Sequence, residues 1–389
     1  MKNISLKKRG LAQYYTSTSL GDVLISMLPI DEGVYDILDL SAGTGSLLKS
    51  AEKISPRSKI YGVDLDPENV NFIKTNNPKF IAFTGDSLEL GGLNSVFKFC
   101  NVFDFVLGNP PFKAIAFNKE MRHEFERSFS INADKKIRAE VCFLAKGLSL
   151  LKDNAYLAYI LPDGILTNSG FTSLRKYLVN NFDVLEVREI PEGAFEGTEA
   201  KTHILIIRNI KPTCDKRIIL STLGGGATKI ITHQNFIDRA DYSYYTLPTP
   251  ISYVKLSEVD IKLVRGKSGI IPNDRAFFLH TTSFKNNYNE FYGADLSLTI
   301  SLERQVVALK GDILIPRVGS RCIGKVGYVM TGQFLISDCI IIIRAAEEFR
   351  EKILSGLRSD FGVKWIKTVA KGVGAKHITL ADLKNFPVI

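Results

Sequence analysis

The chain has 389 residues, 45% hydrophobic and 23% charged, a size and composition that predict two globular domains or three. Its net charge of +9 is unevenly placed: residues 1–210 hold 25 Lys+Arg against 25 Asp+Glu, and residues 211–389 hold 25 against 16. The second part therefore carries the whole excess and is expected to face a polyanion. No apolar run approaches the ~20 residues of a membrane span. No apolar signal core follows the basic N-terminus, and the five scattered cysteines contain no CxxC pair. A cytoplasmic protein is expected, with no disulfide framework, no metal site and no membrane partner.

From residue 35 the pattern is strand, glycine turn, helix, repeated. Strand-like runs cover 35–40, 59–63, 80–83, 102–107, 155–161, 185–190 and 203–208, with helical stretches near 46–53 and 139–151. Such alternation predicts an α/β fold with a parallel, doubly wound sheet, helices on both faces and ligands at the carboxyl ends of its strands. Past residue 211 the texture changes. Gly224-Gly225-Gly226 and the Pro248/Pro250 pair read as linker punctuation. Short β-branched runs then follow at 312–316, 325–330 and 334–344. The expected domains are residues 1–245 and a smaller, β-rich α+β domain over 246–389.

Three acids stand at three successive strand ends. Asp39 precedes Ser41-Ala42-Gly43-Thr44-Gly45, a turn whose glycines let backbone approach a ligand at a helix start. Asp64 ends the next strand, where an acid grips both ribose hydroxyls of a nucleoside. Asp86 ends the third and is placed to accept from an adenine amino group. The turn lacks the third glycine of a dinucleotide fingerprint. A nucleoside without a phosphate cradle points to S-adenosylmethionine rather than NAD.

The fourth strand ends in Asn109-Pro110-Pro111-Phe112. Two prolines fix the backbone and remove two donors, leaving carbonyl acceptors. Asn109 adds a side-chain carbonyl and Phe112 a flat apolar face. Such a site accepts both hydrogens of a planar amine while a ring stacks on its base. An aromatic amine is a poor nucleophile because its lone pair is delocalised. Accepting its hydrogens draws nitrogen toward tetrahedral geometry and frees that pair.

On these residues the sequence resembles the adenine-specific amino-methyltransferases of DNA, with the motif order of their gamma group. The resemblance covers most of residues 9–210 and implies roles for Asp39, Ser41, Gly43, Gly45, Asp64, Asp86 and Asn109 at the cofactor. It implies a cofactor contact at Thr16, although Ser17 stands where the family motif carries proline. Asn109, Pro110 and Phe112 become catalytic, and Phe195 becomes a second ring against the flipped base. Leu161-Pro162-Asp163-Gly164 is similar to the strand-to-loop motif that follows.

Residues 311–327 alternate β runs, glycines and cations, and 372–388 form a similar close. Both resemble the target-recognition domains of type I restriction specificity subunits. That resemblance nominates Arg317, Arg321, Lys325, Lys371 and Lys376 as DNA contacts. The expected substrate is double-stranded DNA, with a cognate restriction endonuclease as partner and a monomer or dimer as the assembly. Three rival readings remain open. A protein glutamine amide methyltransferase uses the same tetrapeptide but has no basic C-terminal domain. A cytosine amino-group methyltransferase more often carries Ser in place of Asn109. A DNA-binding specificity subunit leaves Asn109–Phe112 idle.

Overall fold

Ile37, Leu38, Val106 and Leu107 are fully buried, and the short strands that carry them lie side by side at the centre of a large sheet. The computed structural model describes residues 17–89, 91–116, 136–193, 201–212, 217–248, 252–267, 277–294, 306–372 and 375–388. The chain divides into two compact units, Met1–Tyr242 and Ser243–Ile389.

In the first unit the strands are β1 (Asp36–Asp39), β2 (Lys59–Asp64), β3 (Ile81–Thr84), β4 (Phe103–Gly108), β5 (Ala114–Ala116), β6 (Lys136–Arg138), β7 (Leu151–Pro162), β8 (Asp183–Ile190), β9 (Thr202–Arg208), β10 (Ile218–Thr222) and β11 (Lys229–Ile231). Nine of them form one sheet in the order β11-β10-β8-β9-β7-β4-β1-β2-β3, and β5 pairs with β6 alone. The chain runs outward from β1 through β2 to β3, then returns to place β4 on the other side of β1. That reversal makes the carboxyl ends of β1 and β4 the switch point of the sheet, the usual ligand position in such folds.

Helices cover both faces. Ala158 and Ile160 of β7 share a core with Ile37, Phe105 and Leu107, closed by Leu20 and Leu24 of the helix Thr18–Ser26. Leu157 and Tyr159 point the other way, against Gly147 of the helix Ala139–Ser149. Alternation along one strand thus feeds two layers.

The sheet is mixed rather than wholly parallel. β9 runs antiparallel to both β7 and β8, and β11 runs antiparallel to β10. A parallel return needs a crossover of a dozen or more residues, and residues 191–201 are too few between β8 and β9. Gly224-Gly225-Gly226 lies between β10 and β11 inside this unit, so it belongs to their connection and is not an interdomain linker.

The second unit holds β12 (Val254–Lys255), β13 (Ile261–Arg265), β14 (Phe278–Leu279), β15 (Tyr288–Tyr292), β16 (Val307–Leu309), β17 (Ile313–Pro316), β18 (Val326–Thr331), β19 (Gln333–Ile336), β20 (Ile340–Ala345) and β21 (Pro387–Val388). A five-stranded sheet runs β13-β20-β17-β18-β15, a three-stranded one runs β14-β19-β16, and β12 pairs with β21. The apolar run over 334–344 is two strands, β19 and β20, split at Ser337 and assigned to different sheets. Ile341 and Ile343 enter one core, with the helices Glu347–Arg358 and Asp360–Val369, while Ile340 and Ile342 enter another. Burial on both faces is why residues 340–343 are continuously apolar instead of alternating.

Candidate active site

The turn after β1 is stitched to the ends of β2 and β3. Gly43 and Gly45 take φ of +52° and +81°, left-handed values that side chains with a Cβ rarely adopt. Ala42 N–H donates to the Val63 carbonyl at 2.9 Å, and Gly43 N–H donates to Asp64 Oδ2 at 2.7 Å. Gly85 N–H reaches the Asp64 carbonyl at 3.0 Å, and Ser87 Oγ donates to the Leu40 carbonyl at 2.7 Å. Asp39, Asp64 and Asp86 therefore come together along one edge, as their spacing predicts.

Their environments differ. Asp39 is 1% exposed, and its carboxylate accepts the Ser41 N–H at 2.8 Å. Burial pushes its carboxyl up to about 7, and the nearby Asp64 charge adds to the rise against the pull of the Ser41 amide. Asp64 spends its carboxylate on the chain: besides Gly43, it accepts from Asp66 N–H at 2.8 Å and Asn69 Nδ2 at 3.1 Å. It is thus a clip for the glycine turn. Asp86 is half-buried and accepts the Leu88 N–H at 2.9 Å.

Two further features suit a nucleoside bearing a cationic tail. Ser41 Oγ is buried beside the Asp39 carboxylate and helps hold its charge. Leu65, between the buried Asp64 and Asp66, is 54% exposed and offers an apolar surface at the end of β2. Leu65 is not among the residues that the sequence nominates, since a lone leucine is ordinary in core and surface alike. Its signal lies in its place at a strand end beside an acid.

Across the switch point, Asp39 pairs in register with Leu107, so Asn109 stands two residues beyond it. Gly108 precedes Asn109 because Tyr159 of β7 lies alongside: a Cβ there would come within 2.9 Å of the ring. Pro110 is buried, while Asn109, Pro111 and Phe112 are partly exposed. The Pro111 carbonyl accepts the Lys113 N–H at 3.1 Å, whereas no backbone amide among the described residues is bonded to Pro110. Phe112 packs against the core that the helix Thr18–Ser26 closes. Thr16 and Phe195 lie outside the described residues.

In the second unit the two nominated loops lie together. Gly319 N–H donates to the Lys376 carbonyl at 2.9 Å, and Ile378 N–H to the Arg317 carbonyl at 2.9 Å. Arg321 is exposed. Arg317 Nε donates to the Asp338 carbonyl at 3.2 Å, and Lys325 Nζ to the carbonyls of Phe284 and Lys285 at 2.8 and 3.1 Å. Lys371 is 8% exposed and paired with Asp382 at 2.8 Å, an interior ion pair rather than a surface charge. Lys367 was not nominated, yet it is exposed and lies over Gly324 in the same loop.

An open α/β sheet with an acid-lined glycine turn and an Asn-Pro-Pro-Phe loop at its switch point defines a nucleoside-dependent group-transfer fold. Residues 2–242 match the family described as N-6 DNA Methylase, and the chain belongs to that family. Membership implies S-adenosylmethionine as cofactor. The chain is 27% identical over 222 residues to the type II methyltransferase M.CvrRI of Paramecium bursaria Chlorella virus XZ-6E, covering 54% of this chain and 52% of that one. It is 23% identical over 220 residues to the type I restriction enzyme MpnII methylase subunit of Mycoplasma pneumoniae, covering 50% of this chain and 40% of that one. The chain thus spans about half the length, or less, of these relatives. The crystal structure of the type IIG restriction endonuclease BpuSI is similar in fold, with a TM-score of 0.52 and 15% identity over 98% of this chain and 59% of that one. No helix among the described residues is long and apolar enough to cross a membrane.

Proposed function

We propose that the chain methylates the exocyclic amino group of adenine in duplex DNA, as the modification activity of a restriction–modification or defence system. The observation that carries this reading is Asn109-Pro110-Pro111-Phe112 at the sheet's switch point, beside the buried Asp39 turn. S-adenosylmethionine, when bound, supplies a methyl group on a sulfonium. Asp39, Ser41 and the Gly43–Gly45 turn hold that cofactor, with Asp86 on its adenine and Asp64 keeping the turn in place. Asn109 Oδ1 and the Pro110 carbonyl accept the two hydrogens of the target amine, localising its lone pair on nitrogen. Phe112 stacks on a base turned out of the duplex, and Phe195 supplies the second ring. The family match favours adenine over cytosine or a protein amide.

Residues 246–389 are the target-recognition domain in this reading. Arg321, Arg317, Lys325, Lys376 and the neighbouring exposed Lys367 are its phosphate-facing cations, and Lys371 drops out as an interior ion pair. The expected partner is duplex DNA, with a cognate endonuclease. Incubating the protein with S-adenosylmethionine and unmethylated duplex, then digesting to nucleosides, should yield N6-methyl-2′-deoxyadenosine. Asn109→Ala should nearly abolish that product while cofactor affinity stays within a few-fold. Undiminished turnover in the variant rejects the catalytic role.

A further inference from the structure

One strand over from the strand that ends beside Asn109, six ionisable side chains are packed together away from water. Lys201 Nζ lies 3.5 Å from Asp163, 3.0 Å from Glu189 and 3.0 Å from Asp241. Arg239 forks onto Asp241, its Nη2 at 3.0 Å, and His203 Nε2 lies 3.0 Å from Asp163. Thr167 Oγ1 donates to Asp163 at 3.0 Å. The side chains of Asp241 and His203 are fully buried, and that of Lys201 is 18% exposed. None of these residues has a part in the chemistry derived above.

Their origins explain what the cluster does. Asp163 follows β7, Glu189 belongs to β8, Lys201 and His203 flank the start of β9, and Asp241 follows the helix His233–Asp238. Strand register brings Leu161 and Glu189 opposite His203 from either side. Asp163 N–H also donates to the Lys201 carbonyl at 3.2 Å. Three carboxylates and two fixed cations inside a protein are tolerated only when each charge meets its opposite at close range. Lys201 is the one cation in this group that touches all three acids. Burial works against its charge, but Asp241, Asp163 and Glu189 outweigh burial and hold the ammonium above its ordinary range.

We propose that Lys201 is a positioning residue for methyl transfer, locking the ends of β7 and β8 to the start of β9 as a rigid wall beside Asn109–Phe112. The proposal rests on the methyltransferase reading. The sheet order makes it specific: Asp39, Asp64 and Asp86 stand at β1, β2 and β3, on the far side of β4 from this cluster. Loosening the wall displaces the target-amine side of the site and spares the cofactor side. A displacement of about 1 Å near reacting atoms costs on the order of a hundredfold in rate.

The test uses the full chain, tritiated S-adenosylmethionine and, as probe, genomic duplex DNA from a host without adenine methylation. In single turnover, Lys201→Met should slow transfer by about ten- to a hundredfold, with cofactor affinity by calorimetry within about twofold of the parent. Lys201→Arg should recover most of the rate. Removing the cation alone leaves three acids facing one guanidinium, so Lys201→Met combined with Glu189→Gln keeps the net charge and should show the same slow transfer at parental cofactor affinity. A parental transfer rate in either neutral variant overturns the proposal. So does a parallel loss of cofactor affinity, or a double variant that no longer melts cooperatively, since the role would then be merely structural. If the parent itself puts no label on DNA, the methyltransferase reading falls and takes this one with it. Label from the parent with equal label from the variants removes the positioning role alone.

Discussion

In the proposed cofactor site, the buried carboxylate of Asp39 would couple binding to pH. Burial foremost, with Asp64 adding to it, raises it to about 7, so in the folded chain it holds its proton up to that pH. Its raised value contributes stability below the ordinary aspartate range, and that contribution is lost as pH rises to about 7. A cationic cofactor prefers the ionised form, which gives the opposite trend for binding. S-adenosylmethionine affinity should fall as pH drops from 8 to 6, by up to about tenfold per unit below the folded value. Calorimetry in two buffers of different ionisation enthalpy should show proton release at pH 6, and Asp39→Asn should flatten both effects. At Asp64, whose oxygens hold Gly43, Asp66 and Asn69, replacement by Ala should lower the melting temperature as well as cofactor affinity. A loss of affinity without any change in melting would mean that the clip is not its main role.

At the scale of elements, β4 and β7 are set close by a missing side chain. Tyr159 occupies the space beside Gly108, and its hydroxyl donates to the Phe143 carbonyl at 3.3 Å, so the ring is held from both ends. Gly108→Ala places a methyl group within 2.9 Å of that rigid ring. The strain should cost about 1–3 kcal/mol in urea unfolding and slow methyl transfer, because Asn109 is the next residue. Tyr159→Phe keeps the ring against Gly108 and removes only the hydroxyl, so it serves as the control for the hydrogen bond. The β20 isoleucines show the same principle in the second unit. One strand between β13 and β17 sends alternate residues into two cores, so both faces are apolar.

For the whole molecule, the charge asymmetry makes a quantitative demand. If the second unit meets phosphates through its exposed cations, the logarithm of DNA affinity falls linearly with the logarithm of salt. Arg321→Ala should reduce that slope by about 1 and weaken binding on every sequence alike. Lys371→Ala should behave differently, because its half-buried partner Asp382 would lose its counter-charge and keep only its hydrogen bonds from Thr379. A loss of about 1–3 kcal/mol in stability is expected there, with the salt slope of the folded protein unchanged. Titrations at four salt concentrations, beside a melting curve for each variant, separate the two outcomes.

Much of the cofactor side was legible from residues alone because its signals are local. The strand at 35–40, the glycine turn and the helix after it follow one another within twenty residues, and Asp64 and Asp86 end the next two strands. The chemistry proposed for Asn109–Phe112 likewise rests on four consecutive residues. The uneven charge is equally a property of the chain itself. What tertiary structure decided depends on distant partners: the reversed direction of β9, the split of 334–344 between two sheets, and the burial of Lys371 on Asp382. No local pattern distinguishes a lysine that points at solvent from one that meets an acid eleven positions away. The Lys201 cluster is the extreme case, since its charges come from four separate stretches spanning residues 163–241. Only folding brings such groups within hydrogen-bond reach, and only there does the cost of burying each charge make its neighbours indispensable.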